Sequence, residues 1–178
     1  MNLNQLKFPI GTFQSADTIT PDLLKQYIND ISSFPQRLKK EVQSLSDDQL
    51  DTEYRPGGWT IRQVVNHCAD SHMNSLMRLK LALTEDRPVI KPYFEDRWAE
   101  LADSKKMPIE PALSMLEGIH ARWTVLLKEL TPEDLKRVFI HPEHGKEFSL
   151  DENIGMYAWH CNHHLAHITG LKISKGWT

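Results

Sequence analysis

Only two cysteines, Cys68 and Cys161, occur in the 178 residues, so disulfides do not hold this fold together. No apolar run approaches the roughly 20 residues needed to span a bilayer. The first nine residues, Met1 to Pro9, lack the apolar core of a signal peptide, and a cytoplasmic protein is expected. Neither sign of charge dominates: 21 Lys and Arg stand against 24 Asp and Glu, a net charge of −3. That balance gives no electrostatic case for nucleic acid or for an anionic membrane as partner. There is no internal repeat, no low-complexity run and no convincing strand. What remains, 40% apolar and 25% charged residues, suits one globular domain over residues 1–178 with a proper core.

Residues 1–18 read as an extended arm, punctuated by Pro9 and Gly11, either strapped on the body or crossing to a partner subunit. Thr20-Pro21-Asp22 then starts a helix, with Thr as N-cap and Pro in the first turn. Leu24, Tyr27, Ile28 and Ile31 follow at helical spacing. Pro35 is expected to kink or break the helix, and the pattern resumes with Leu38 and Val42. Thr60-Ile61-Arg62-Gln63 is a capping box opening a second long helix, whose apolar face carries Ile61, Val64, Val65, Cys68, Leu76 and Leu79. A third long helix is expected over about Ile109 to Leu130, and a fourth from a Ser149–Glu152 capping box to about Ser174, with Gly176 as its stop. A short helix over Glu95 to Ser104 is also expected, and Val138 to Phe148 reads as a loop in preference to a hairpin. Four long amphipathic helices mean an all-α four-helix bundle. The long connection from Glu85 to Pro108 leaves room for a crossover.

The chain is richest in histidine where it matters most. Four of its nine histidines fall within Trp159-His160-Cys161-Asn162-His163-His164-Leu165-Ala166-His167. At about 100° per residue, His160, His164 and His167 share one stripe of a helix, and His163 sits off to the side, as a surface residue would. Two imidazoles one turn apart can hold one divalent metal. A bundle completes such a site from a facing helix, and the second helix offers His67, on the border of its apolar face, or His72, near the middle of that face and by its place an ordinary core histidine. Three imidazoles leave one tetrahedral position open for water or substrate, the pattern of a catalytic zinc site.

Two segments, Gly57 to Asn74 and Trp159 to Ile168, resemble the DinB/YfiT superfamily. The likeness runs from Phe8-Pro9-Ile10-Gly11 through His120-Ala121-Arg122-Trp123-Thr124 to Gly176-Trp177, essentially the whole chain. The resemblance implies a four-helix bundle, a homodimer, and one divalent ion per subunit, zinc or nickel, on His67, His160 and His164. Many members have Gln where this chain has His167, which places His167 beside the ligands rather than among them. Related proteins act as S-transferases for low-molecular-weight thiols, bacillithiol among them, and others are regarded as metal-dependent hydrolases.

The residue after His160 is Cys161, where a metalloprotease-type motif would carry its Glu base, so peptide hydrolysis by that scheme is disfavoured. Two enzymatic readings remain. A metal can hold a small thiol as its thiolate for transfer to an electrophile, with no protein base required. It can also lower the pKa of water for hydrolysis of a small molecule, which wants a nearby acid or base. Asp70, His163 and His167 are candidates for that role. His120 and Trp123 read as core packing, with pocket lining as the alternative. Metal binding without turnover is the third reading.

Overall fold

The structure, a computed structural model, describes residues 2–143 and 145–177. In chain order the helices are α1 (Leu3–Lys7), α2 (Pro21–Val42), α3 (Asp47–Leu50), α4 (Ile61–Thr84), α5 (Glu95–Trp98), α6 (Ala102–Lys106), α7 (Glu110–Glu129), α8 (Pro132–Leu135) and α9 (Leu150–Lys175). A two-stranded antiparallel hairpin, β1 (Val138–His141) and β2 (Lys146–Ser149), precedes α9.

The long helices begin where their caps say they should. The Thr20 hydroxyl accepts from the Leu23 N–H, and Thr60 and Gln63 close a reciprocal capping box on α4. The expected box at Ser149 is only half made: Ser149 accepts from the Glu152 N–H, but the Glu152 carboxylate pairs with Lys146 at 2.8 Å. Gly176 ends α9 with a φ of 67°, a left-handed conformation that costs glycine nothing. The expected break at Pro35 does not occur, and α2 runs through it. The short helix expected over Glu95 to Ser104 is two separate turns, α5 and α6.

The four long helices form a bundle in which α2 packs on α7 and α9, and α4 packs on the same two. Of the long helices, α2 and α4 stand across the bundle from each other, as do α7 and α9, so the crossovers lie in the connections 43–60 and 130–149; the longer connection from Glu85 to Pro108 joins α4 to its neighbour α7 and is not a crossover. The core holds Ile31, Phe34, Leu38, Ile61, Val64, Leu116, Trp123, Ile154 and Ile168, all fully buried. None of the described helices is long and apolar enough to cross a membrane.

Val138 to Phe148 is a hairpin, not the loop its sequence suggests. Phe139 and Phe148 are cross-strand partners with rings stacked at 5.8 Å, and Phe139 is buried. Ile140 also exchanges backbone hydrogen bonds with the segment after α4, at 2.9 Å to Pro88 and 3.0 Å from Ile90. That partner lies fifty residues upstream, beyond the reach of a local pattern. His144 lies outside the described residues.

The N-terminal arm straps onto α9 of its own chain. It opens with the single helical turn α1, closed by an Asn2–Gln5 capping box, where an extended run was expected. The Trp159 indole N–H donates to the Gly11 carbonyl at 3.2 Å, and His167 Nε2 lies 3.1 Å from the Lys7 carbonyl. Phe8 and Phe13 lie against His163 and Trp159. The arm thus covers the side of α9 that carries Trp159, His163 and His167.

Candidate metal centre

Where α4 packs on α9, the structure brings three imidazoles together. One ring nitrogen each of His67, His160 and His164 lies within 4.8 Å of the others, and no Cys, Asp or Glu joins that set among the described residues. His67 Nε2 and His160 Nε2 face each other at 3.2 Å. Two nitrogens at 2.0–2.1 Å from one tetrahedral ion stand roughly 3.3 Å apart, so this pair already has the spacing of two ligands on one metal. The His164 ring is buried, makes no hydrogen bond among the described residues, and leaves its Nδ1 without a partner. A buried imidazole that makes no hydrogen bond is available to a metal ion, which would take the lone pair of one of its ring nitrogens. The residues present therefore fit a divalent ion.

The electrostatics point the same way. Burial holds His67 down at about 4, with the nearby His167 adding to it. Burial likewise holds His160 and His164 well below the usual histidine range, with His67 and the other rings of the cluster pushing further in the same direction. All three are neutral at pH 7 and offer lone pairs, which is the form a metal takes.

The cluster opens on a cavity of about 620 Å³, walled by the loop before α4 (Tyr54, Gly57, Trp59), by α4 and α9, and by the rim residues Glu95, Asp96 and Glu143. Along α4, His67, Ser71 and Arg78 fall on one stripe and all three line it. Tyr157 from α9 crosses to the same wall, its hydroxyl 3.2 Å from both the Ser71 hydroxyl and the Ser71 carbonyl.

The remaining singled-out residues fall in different places. His163 is buried, 7% exposed, stacked on Trp159 at 4.4 Å, and it lines the cavity; the surface position expected for it is wrong because the arm covers that side of α9. His167 does not line the cavity; it stacks on Tyr54 at 3.9 Å, with its ring 5.4 Å from that of His164. Asp70 does not line the cavity, and its carboxyl is raised to about 6 by burial and then by Asp103, so it is not placed to serve a reaction there. Trp123 packs edge-on against His72, His120 and Tyr157 and is core. Cys68 and Cys161 are fully buried and free, and burial pushes both thiols above their ordinary range, so neither is a ligand or a nucleophile.

His72 and His120 hold what the helical wheel did not show. Both are essentially fully buried, at 0% and 1% exposure. His120 Nδ1 lies 2.6 Å from the Ile31 carbonyl, His120 Nε2 lies 2.7 Å from His72 Nδ1, and His72 Nε2 lies 3.0 Å from His160 Nδ1. Phe34 and Trp123 flank both rings, and Tyr157 flanks His72. One helix from each corner of the bundle contributes one link.

Comparison with known proteins agrees with this picture. A match to the DinB superfamily spans residues 31–168. A protein of Oceanobacillus iheyensis is 54% identical over 171 residues, covering 96% of this chain and 98% of that one, and one of Bacillus mycoides is 50% identical over 175 residues, covering 98% and 100%. Both bear the name "Putative metal-dependent hydrolase". Among solved structures, YfiT from Bacillus subtilis superposes with a TM-score of 0.95 at 45% identity, over 98% of this chain and 99% of that one, and is described as "a probable metal-dependent hydrolase with an unusual four-helix bundle topology".

Proposed function

The chain belongs to the DinB superfamily, and from that membership and the histidine cluster we propose that it is a metal-dependent enzyme that transfers a low-molecular-weight thiol, of the bacillithiol type, to small electrophiles. His67, His160 and His164 hold one divalent ion, zinc or nickel. Such an ion, when bound, lowers the pKa of a thiol or water placed at its open coordination position. The observation that carries the choice of transfer is that no carboxylate is set against the cluster: among the described residues none hydrogen-bonds any of the seven clustered histidines, His67, His72, His120, His160, His163, His164 and His167. Thiol transfer needs no protein base, since a sulfur–carbon bond forms, the leaving group departs with its electron pair, and the thiol proton ends in water. Hydrolysis of a small molecule is the second reading. It is favoured by the names of the relatives and by Glu95, Asp96 and Glu143 on the cavity rim.

The cavity wall supports a narrower substrate class. Arg78 is 7% exposed, lines the cavity, and makes no hydrogen bond or ion pair among the described residues, its Nε being buried without a partner. An uncompensated buried guanidinium is expensive, and its planar fork suits a carboxylate. The substrate supplies that anion.

The test pairs mercaptoalkanoates with mercaptoalkanols of equal length, each offered with an aryl halide to metal-loaded protein, alongside ester and amide panels. Thioether formation that is lost in His164→Ala supports transfer; turnover of esters or amides alone replaces it with hydrolysis. The carboxylate member of each pair is expected to bind roughly 10–100-fold tighter, the worth of a charge-assisted hydrogen bond. Arg78→Gln should erase that preference and leave the alcohol's affinity unchanged; a preference that survives the substitution removes Arg78 from the site.

A further inference from the structure

The Ile31 carbonyl, the terminal acceptor of the three-histidine chain, is free for a reason written in the sequence. In an α-helix the carbonyl of residue i accepts from the N–H of residue i+4. Four residues after Ile31 stands Pro35, inside α2 and without an N–H. The helix leaves the Ile31 carbonyl without its donor, at a fully buried position where an unpaired carbonyl is costly. His120 Nδ1 meets it at 2.6 Å.

That one acceptor fixes every proton along the chain. A carbonyl oxygen cannot donate, so His120 Nδ1 carries hydrogen and donates. A neutral His120 then presents a bare Nε2, so the hydrogen in the 2.7 Å contact belongs to His72 Nδ1. A neutral His72 presents a bare Nε2 in turn, so the hydrogen in the 3.0 Å contact belongs to His160 Nδ1. His160 is left with its lone pair on Nε2, the nitrogen that faces His67 Nε2 in the ligand cluster. All three rings take the Nδ1–H tautomer, the minor form of a free histidine side chain.

We propose that Pro35, Ile31, His120 and His72 form a positioning chain that holds His160 in its metal-ligating tautomer and orientation. The inference rests on the proposed ligand set, since it concerns one ligand of that site. The chain passes from α2 to α7 to α4 to α9, the order in which the helices pack, so the metal centre is referenced to all four walls of the bundle. A ligand histidine usually donates its second nitrogen to a carboxylate or a carbonyl next to it. Here that carbonyl lies two imidazoles away, in a sheath of Phe34, Trp123 and Tyr157 where each hydrogen bond is strengthened by the low local dielectric.

Nitrogen-15 spectra of the metal-free protein at pH 7.5 test this directly. His120, His72 and His160 should each show a protonated Nδ1 and a bare Nε2; a protonated Nε2 on any of the three overturns the chain. The variants give a second, metal-binding readout, measured by chelator competition. His120→Phe should weaken metal binding roughly 10–100-fold and let His160 sample both tautomers, although residue 120 touches no ligand. His120→Gln should restore most of the affinity, because its amide N–H can donate to Ile31 while its carbonyl accepts from His72. Pro35→Ala returns an N–H to the Ile31 carbonyl; it should leave the fold at least as stable and lower metal affinity several-fold. Equal affinity in folded His120→Phe and in the wild type overturns the proposal. Failure of the ligand set would look different, with wild-type tautomers as predicted but His164→Ala binding metal as before.

Discussion

Alanine at position 164 should leave the protein folded and nearly metal-free. Four-ligand zinc sites are worth about 10–16 kcal/mol, so one ligand carries roughly 3–4 kcal/mol and its loss costs about 10²–10³-fold in affinity. Among the described residues no spare donor joins the cluster to fill the gap. Cys161 is fully buried with its thiol pushed far toward the protonated form, and it does not line the cavity. His167 is committed to the Lys7 carbonyl through Nε2 and stacked on Tyr54. His163 is stacked on Trp159. Metal content after gel filtration should therefore fall from one ion per chain to well under a tenth in His164→Ala, and thermal stability should cease to respond to added metal. His167→Ala is the control, expected to keep the full content. A His164→Ala protein that retains metal at wild-type affinity would mean that the ligands are elsewhere.

The bundle and its helix starts were legible in the sequence because caps and apolar stripes are local. So was the His160–His164 pair, since one turn of helix guarantees their proximity. The third member of the cluster is not settled by pattern. His67 and His72 both lie on the inner half of α4, and what separates them is what each meets across the bundle: His67 meets His160 Nε2 at the cavity, while His72 meets His160 Nδ1 from behind. The role of His120 was hidden for the same reason. Periodicity places it in the core but says nothing of a His72 ring on another helix, 48 residues away. Of the two outcomes expected at Pro35, a kink or a break, the break does not occur. A proline within a helix is expected to bend or end it, yet the helix continues, and the consequence is a carbonyl released for His120. The sequence favours a loop over the hairpin at Val138 to Phe148 because the hairpin's stabilising partner, the Pro88–Ile90 segment, is remote. His163 looked exposed because a helical wheel cannot show an N-terminal arm lying over it.

Acid should unfold the metal-free protein early, and the same histidines set the pH. An unfolded histidine titrates near 6.5. Folded, burial holds His67, His120 and His167 at about 4 and His163 at about 3, and holds His72, His160 and His164 well below the ordinary range. Between those values the unfolded chain binds more protons than the folded one, so stability is complete above pH 6.5 and falls as the pH drops toward 4. One ring lowered from 6.5 to about 4 withdraws on the order of 3 kcal/mol by pH 4. A few such rings match the roughly 5–15 kcal/mol that holds a typical domain together, even allowing for their mutual coupling. Asp70, raised to about 6, acts with the opposite sign in the same window, but it is one half-buried carboxyl against seven rings. Circular dichroism should show the metal-free protein losing its helices cooperatively between about pH 6 and pH 4.5, earlier than carboxylate titration alone would bring. Saturating metal binds only the deprotonated rings, so it should displace the transition to lower pH. A metal-free protein whose stability is flat from pH 6.5 to 4.5 would mean that these rings are not buried and neutral, and the tautomer chain that depends on their neutrality would fall with them.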